Sequence, residues 1–537
     1  MFLALLLAAA TSAPPALDAA ALHAAWARER FVPTAAPCLK HLELGERLLA
    51  LERKHAGRLA LEQVGRSFEG RAIQMLTLGT GPKRVLLWSQ MHGDEPSATP
   101  ALLDLADWLL SHRAEPGPQA ILEGTTLYLV PMLNPDGAER YERRNAQAID
   151  VNRDALSLST PEGALLKSLR DRLQPELGFN LHDQDRRTAV GESGQRASIA
   201  LLAVAGDPQG TLTPGRARAK RVCSLLVSVL SPFVPGAVAR YDEDWSPRAF
   251  GDNLTKWGTP VVLIESGAVP GGGRFEDLTR LNFVGLLAAL DALVRDDVAG
   301  HDPEVYEKLP RNQPGAWADV IFRGVELLQP GTREAYRADL AFDVRRDDRE
   351  LAGCAARRPA RASIVEVGDA RFLGTSREVP GQGRVLSAPF AVAVEGLAAR
   401  AWLDAATLSR LARLGVGQVS WAVPLAERAE AQRHVDGVSA PGRPRLELVE
   451  ALDQGLPRLD RAPAEPRGSG LAAVLEVLGL PPLAAGGQPS LAQLGALTGF
   501  RPGLAPGRPA SFVAWTLADG VPQLDSVWLD GEEVARP

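Results

Sequence analysis

The sequence predicts an α/β fold for its first half, a sheet covered by helices on both faces, followed by a smaller, mixed and β-rich region. Three observations carry this reading. Continuous apolar runs alternate with stretches of helical periodicity, several of those runs end at an ionisable residue, and the pattern changes after about Asp297. Continuous rather than alternating apolar strands are what a sheet buried on both faces requires. A chain of 537 residues is also too long for one ordinary core, so two or three domains are expected.

The chain opens with MFLALLLAAATSAPP, an apolar run from Phe2 to Ala10 followed by small residues and two prolines. This run is too short to span a bilayer and reads as a secretory signal peptide over residues 1–13, which predicts a secreted or periplasmic protein. No later stretch is long and apolar enough to be a membrane span. The expected catalytic domain then covers residues 14–299. Helical periodicity runs from about Leu42 to Lys54, and two alternating runs flank the turn Ser67 to Gly70 as a β-hairpin. The apolar run Val85 to Trp88 reads as a strand that leads into His92, Gly93, Asp94, Glu95 and Pro96. A helix follows from about Ala101 to Leu110, then a strand from Thr126 to Met132 whose end carries Asn134 to Gly137. Thr160 followed by Pro161 marks a helix start, because a hydroxyl caps free N–H groups and proline suits the first turn. The strand LGFNL ends at His182, a helix covers about Ala217 to Leu230, and the strand VVLI ends at Glu265.

Composition narrows the function. Apolar content of 45%, a net charge of -6 and a pI near 5.9 describe a globular protein with no feature that recruits nucleic acid. Cys38, Cys223 and Cys354 lie far apart without C-x-x-C; buried free thiols are preferred over a bridging pair. There is no G-x-S-x-G, no G-x-x-x-x-G-K-[ST], and no G-x-G-x-x-G after a strand. In open α/β sheets ligands bind beyond the carboxyl ends of the strands, and His92, Glu95, His182 and Glu265 all stand at or just past such ends. The spacing of His92 and Glu95 on a turn entering a helix puts both on one side, able to share a metal ion. Two neutral imidazoles and one carboxylate suit a single zinc ion with one position left open, and His92, Glu95 and His182 supply that set.

The motifs HGDE at His92 to Glu95, RRNAQAIDVNRD at Arg143 to Asp154, NLHDQ around His182 and LIESG around Glu265 together resemble the zinc carboxypeptidases. The upstream VGRSFEGRAI is similar to that family's entry hairpin, and the resemblance spans roughly Leu42 to Val294. It implies a three-layer α/β/α catalytic fold and one zinc per chain. It also implies that Asp150 holds the second nitrogen of His92, an arrangement common at metal-bound histidines. Glu265 is the candidate general base, a carboxylate at the end of a buried strand that can take a proton and pass it to the leaving amine. The family pattern assigns stabilisation of the developing oxyanion to Arg143, with Arg144 adjacent, and capture of the substrate's terminal carboxylate to Asn152 and Arg153. Where the family usually has asparagine, this chain has Asp154, an expected extra negative charge near the carboxylate site. Tyr241 is a possible counterpart of the family's substrate-covering tyrosine, and the loop from Asp183 to Arg196 a possible cleft wall.

Gly300 to Gly315 reads as a linker by composition, followed by an accessory domain over residues 316–537. ADVIFRGVELLQPGT, ADLAFDVRRDD, Ile364 to Asp369, and the segment Leu497 to Val534 resemble the strands of the small β-sandwich of amidohydrolases. Helical patterning lies near Ala398 to Arg433, with Pro/Gly-rich pieces at Arg461 to Gly470 and Pro481 to Pro489. No H-x-H occurs there, so this region is expected to be noncatalytic. Three functions stay open: a secreted zinc carboxypeptidase acting on peptides or cell-wall stem peptides, a zinc-dependent deacylase of N-acyl amino acids, and a noncatalytic peptide- or glycan-binding relative.

Overall fold

The computed structural model describes residues 16–33, 38–241, 244–269, 275–328, 335–345, 361–387, 390–401, 403–413, 416–449, 512–518, 521–529 and 532–535. The signal-peptide reading of residues 1–13 and the Pro/Gly-rich pieces at 461–470 and 481–489 lie outside them. The described residues fall into two compact units, the first ending at Trp317 and the second beginning at Ala318.

The first unit is built on one eight-stranded sheet. In chain order its strands are β1 (Leu59–Arg66), β2 (Ala72–Leu78), β3 (Lys83–Ser89), β4 (Thr125–Val130), β5 (Leu177–Asp183), β7 (Ile199–Ala203), β8 (Val238–Arg240) and β9 (Val261–Ser266). Their spatial order is β1-β2-β4-β3-β5-β9-β7-β8. The centre is parallel, β4 on β3, β3 on β5 and β5 on β9, while β1, β2 and β7 run antiparallel to their inner neighbours. The central strands are apolar at consecutive positions because both faces are covered. Val85 and Leu87 point into one core with Phe179, Leu181, Val262 and Ile264, whereas Leu86 and Trp88 point into the other with Val261 and Leu263. The α/β expectation therefore holds as three layers.

The first core is closed by α1 (Ala19–Glu29), α2 (His41–Lys54), α3 (Ala98–Ser111), α7 (Pro214–Leu230) and α9 (Phe275–Val294); the second by α6 (Pro161–Leu173) and α8 (Phe250–Lys256). Helix α6 starts as expected, with the Thr160 hydroxyl accepting from the Gly163 N–H and Pro161 in the first turn. Helix α9 is buried on most sides and so shows no amphipathic period, which is why periodicity alone does not reveal it. Among the described residues no helix is long and apolar enough to cross a membrane. Cys38 is disulfide-bonded while Cys223 is a buried thiol outside any disulfide, so the preference for buried thiols holds for Cys223 and fails for Cys38; Cys354 lies outside the described residues.

The stretch read as a linker is packed into the first unit. Tyr306 is fully buried, its hydroxyl accepting the Ala203 N–H, and Glu307 pairs with Lys220 and Arg240. Asn312 and Gln313 form a short strand, β10, antiparallel to β6 (Ala189–Val190) in the loop after His182. Proline-containing composition signalled irregular backbone there, and the buried Tyr306 together with the β10–β6 pair anchors the stretch to the first unit.

In the second unit, β11 (Trp317–Leu328), β12 (Tyr336–Arg345) and β13 (Arg361–Gly368) are joined in one sheet with β15 (Arg384–Ser387), β19 (Phe512–Ala518), β20 (Val521–Leu529) and β21 (Glu532–Ala535). A second sheet is parallel, with β17 (Val416–Ala422) between β16 (Phe390–Glu395) and β18 (Arg445–Val449). The helical stretch expected near 398–433 is thus interrupted: helices 405–413 and 428–438 flank the buried strand β17. A short apolar run such as VGQVSWA fits either period, and burial of Val416, Val419 and Trp421 makes it a strand.

Candidate metal centre

The site is made by close approach of two turns. HGDE follows β3, and Asn134 to Gly137 follow β4, the parallel neighbour of β3. A Cβ on Gly93 would lie 1.9 Å from the carbonyl carbon of Gly137, so only glycine lets the two turns pass. Gln90, two residues before His92, has φ +46°, an uncommon backbone for a side chain of its size. It is held by its amide donating to Gly93 O at 3.1 Å, by Thr99 Oγ1 donating to its Oε1 at 2.7 Å, and by its carbonyl accepting Asn134 N–H. Local strain of this kind persists where the surroundings over-determine it.

The structure brings His92, Glu95 and His182 together, all buried. Glu95 bridges the histidines: Oε1 lies 2.8 Å from His92 Nδ1 and Oε2 lies 2.6 Å from His182 Nδ1. The two Nδ1 atoms are 3.2 Å apart, and among the described residues these three side chains are the group able to offer three ligand atoms to one ion. Ligand atoms around tetrahedral zinc are separated by about 3.3 Å at ordinary bond lengths. Two imidazole lone pairs and a carboxylate turned on one point therefore fit that ion, which reconciles acceptors that otherwise face each other.

The second nitrogen of His92, Nε2, lies 3.1 Å from Asp150 Oδ1, which orients the ring and leaves Nδ1 as the ligand atom. Burial opposes charge on His92, but the charge of Glu95 and hydrogen bonds with Asp150 and Glu95 prevail and raise its pKa to about 9. Burial pushes His182 the other way, favouring the neutral imidazole that a metal needs. Burial also works against the charges of Glu95 and Asp150, and the neighbouring cationic groups hold both below the usual carboxylate range.

Arg143, not Arg144, reaches the centre. Its Nη1 donates to Glu95 Oε1 at 3.0 Å and its Nε to Asp150 Oδ2 at 3.1 Å, while Arg144 turns outward to Ala148 O. Asn152 Oδ1 accepts the Phe250 N–H at 2.9 Å, which leaves the amide NH2 as the end a carboxylate can use; Arg153 donates to Asn152 O. Asp154, expected as an extra negative charge near the carboxylate site, is turned toward the next turn. Its carboxylate is buried there, accepting from Ser159 N, Thr160 N and Thr160 Oγ1.

Glu265 stands beside His182 in register on β9, also buried. Burial and the charge of Glu95 push its carboxyl well above the ordinary value. Tyr241 packs against the buried cluster of Trp88 and Leu263, and the charge of Glu265, and then burial, raise its phenol. The loop from Asp183 is tied down by the β6–β10 pair, by Asn312 Nδ2 donating to Gln184 Oε1, and by Gln184 N donating to Ser266 O. Two polar residues were missed by sequence reasoning. Asp183 follows His182 directly, and Ser97 stands two residues past Glu95; the Asp183 carboxylate accepts from both the amide and the hydroxyl of Ser97. An acid adjoining a ligand histidine was the available signal.

Residues 46–164 match the zinc carboxypeptidase family. The zinc carboxypeptidase match contains His92, Glu95, Arg143, Asp150, Asn152 and Arg153, whereas His182 and Glu265 lie beyond it and are joined to it by the fold. Carboxypeptidase SOL1 of Arabidopsis thaliana is 32% identical over 129 residues, 21% of this chain and 26% of that protein. Carboxypeptidase M of Mus musculus is 31% identical over 111 residues, 18% of this chain and 25% of its own length. The chain thus spans about a quarter of the length of these relatives. Among solved structures, a metallo-carboxypeptidase from Burkholderia cenocepacia is 18% identical with a TM-score of 0.40, covering 47% of this chain and 69% of its own. A Pseudomonas aeruginosa metallo-carboxypeptidase, solved with (2-guanidinoethylmercapto)succinic acid, is 22% identical with a TM-score of 0.38 at the same coverages of 47% and 69%.

Proposed function

We propose that this chain is a secreted zinc metallocarboxypeptidase that hydrolyses the C-terminal bond of peptides or of cell-wall stem peptides. The observation that carries the reading is the convergence of His92, Glu95 and His182 on one point, with Glu265 beside them on the neighbouring strand. His92, Glu95 and His182 would hold a zinc ion, which when bound would supply Lewis acidity for a carbonyl and for water. Glu265, whose proton affinity is raised by burial, takes a proton from the attacking water and returns it to the departing amine. Arg143 offers fixed N–H donors and a positive charge where the scissile carbonyl oxygen gains charge. Asn152 and Arg153 bind the terminal carboxylate, the guanidinium accommodating both oxygens and the amide NH2 adding a donor. Secretion is supported by the apolar N-terminal run and by the Cys38 disulfide, which persists in an oxidising compartment.

The test is metal analysis coupled to a C-terminal peptide library read by mass spectrometry. The reading expects one zinc per chain and release of single C-terminal residues, abolished by blocking the terminal carboxylate. Zinc-loaded protein that frees acyl groups from N-acyl amino acids but leaves every peptide intact would replace it with the deacylase reading.

A further inference from the structure

We infer that Asp183 is a positioning residue that sets the distance between the two arms of the metal centre by latching onto Ser97; this rests on the zinc reading above. One arm is the turn carrying His92 and Glu95, and the other is the end of β5 carrying His182. No backbone ladder joins the HGDE turn to that end of β5, because the β3–β5 pairing stops at Ser89 and Leu181. Asp183 closes the gap from both of its ends. Its amide donates to Glu95 Oε2 at 3.3 Å, and its carboxylate accepts the Ser97 N–H at 3.0 Å on one oxygen and the Ser97 hydroxyl on the other. Ser97 precedes α3, yet its hydroxyl makes no capping bond to that helix; it is committed to Asp183.

The latch is backed by α9. Thr279 donates its hydroxyl to Ser97 O at 2.9 Å, and Asn282, three residues on and so on the same helical face, donates to Ser266 Oγ at 2.8 Å. Ser266 pairs in register with Asp183 and follows Glu265. One helix face therefore supports Ser97 on the Glu95 side and Ser266 on the Glu265 side, with Asp183 between them. Removing the Asp183 carboxylate would free Ser97, let the HGDE turn drift from β5, and loosen the carboxylate that must meet both histidines.

The experiment titrates metal-free protein with Zn2+ against a competing chelator, and in parallel records thermal unfolding of the metal-free form. Loss of an orienting group beyond the ligands typically weakens metal affinity about 10–100-fold, which is the expectation for Asp183→Ala. Asp183→Asn keeps an acceptor for the Ser97 amide and a donor for its hydroxyl, so it should stay within a few-fold of wild type. Ser97→Ala should fall between them. If Asp183→Ala lowers the metal-free melting temperature but leaves zinc affinity within about twofold, Asp183 is only a helix cap and the inference is overturned. If Asp183→Asn loses as much affinity as Asp183→Ala, charge rather than the latch is responsible, which also overturns it. A wild type that takes up no zinc would remove the metalloenzyme reading and this inference with it; zinc uptake equal in wild type and Asp183→Ala would remove the inference alone.

Discussion

The two sides of the metal centre are held by different means. His92 and Glu95 sit on a turn fixed by side chains: Asp150 on His92, Arg143 on Glu95 and Asp150, Gln90 on the turn itself, and a glycine contact with Gly137 beneath. His182 and Glu265 are placed by backbone, facing each other in the β5–β9 ladder. His182 Nε2 has no hydrogen-bond partner among the described residues, in contrast to the Asp150 partner of His92. The first side is therefore precise because many polar bonds agree. The second is precise because two buried strands cannot slip without turning every side chain to the opposite face.

Substitutions can break or sharpen this contrast. The largest effect belongs to the backbone-held side, where Glu265→Gln keeps the shape and removes the carboxylate proposed as the base. Turnover should fall about 10²–10⁴-fold with zinc content unchanged, measured by steady-state kinetics and metal analysis on the same sample. Turnover close to wild type would take Glu265 out of the chemistry. On the side-chain-held side, Arg143→Ala should lower kcat about 10²–10³-fold, while Arg144→Ala, outward-facing, should change it less than about twofold. Equal losses in the two variants would show that the turn tolerates either arginine and is less determined than its bonds suggest.

A smaller effect concerns the layer behind the side-chain-held turn. Asp104 on α3 accepts from Trp26 Nε1 and from the amides of Phe31 and Val32, and so fastens the N-terminal segment. Burial, working against those donors, raises its carboxyl to about 7. A raised folded-state pKa means the folded protein binds more protons, so this group's contribution to stability falls as pH rises from about 4 to about 7. Urea midpoints of wild type should therefore decline relative to Asp104→Asn across that window, and parallel curves would contradict the assignment.

The same contrast explains what was legible in the sequence. The HGDE turn announces itself because His92 and Glu95 lie three positions apart at the end of an apolar run, the runs mark the central strands, and Asp150 and Arg143 were legible only through the family resemblance. Strand β7, rich in alanine and leucine, and helix α9, buried on most sides, carry no period that separates strand from helix. Asp154 shows the opposite failure. Its charge was expected near the carboxylate site from its place after Arg153, but side-chain direction is set by the turn, which sends the carboxylate to Ser159 and Thr160. The bond between Asp183 and Ser97 depends on where β5 ends relative to α3, which no local pattern encodes.

The most direct test of the central claim is zinc stoichiometry of purified wild type and His182→Ala, each checked for intact secondary structure by circular dichroism. The account predicts one tightly held zinc per wild-type chain and its loss from a folded His182→Ala variant. Zinc retained at full stoichiometry and affinity without His182, or absent from the wild type, would contradict it.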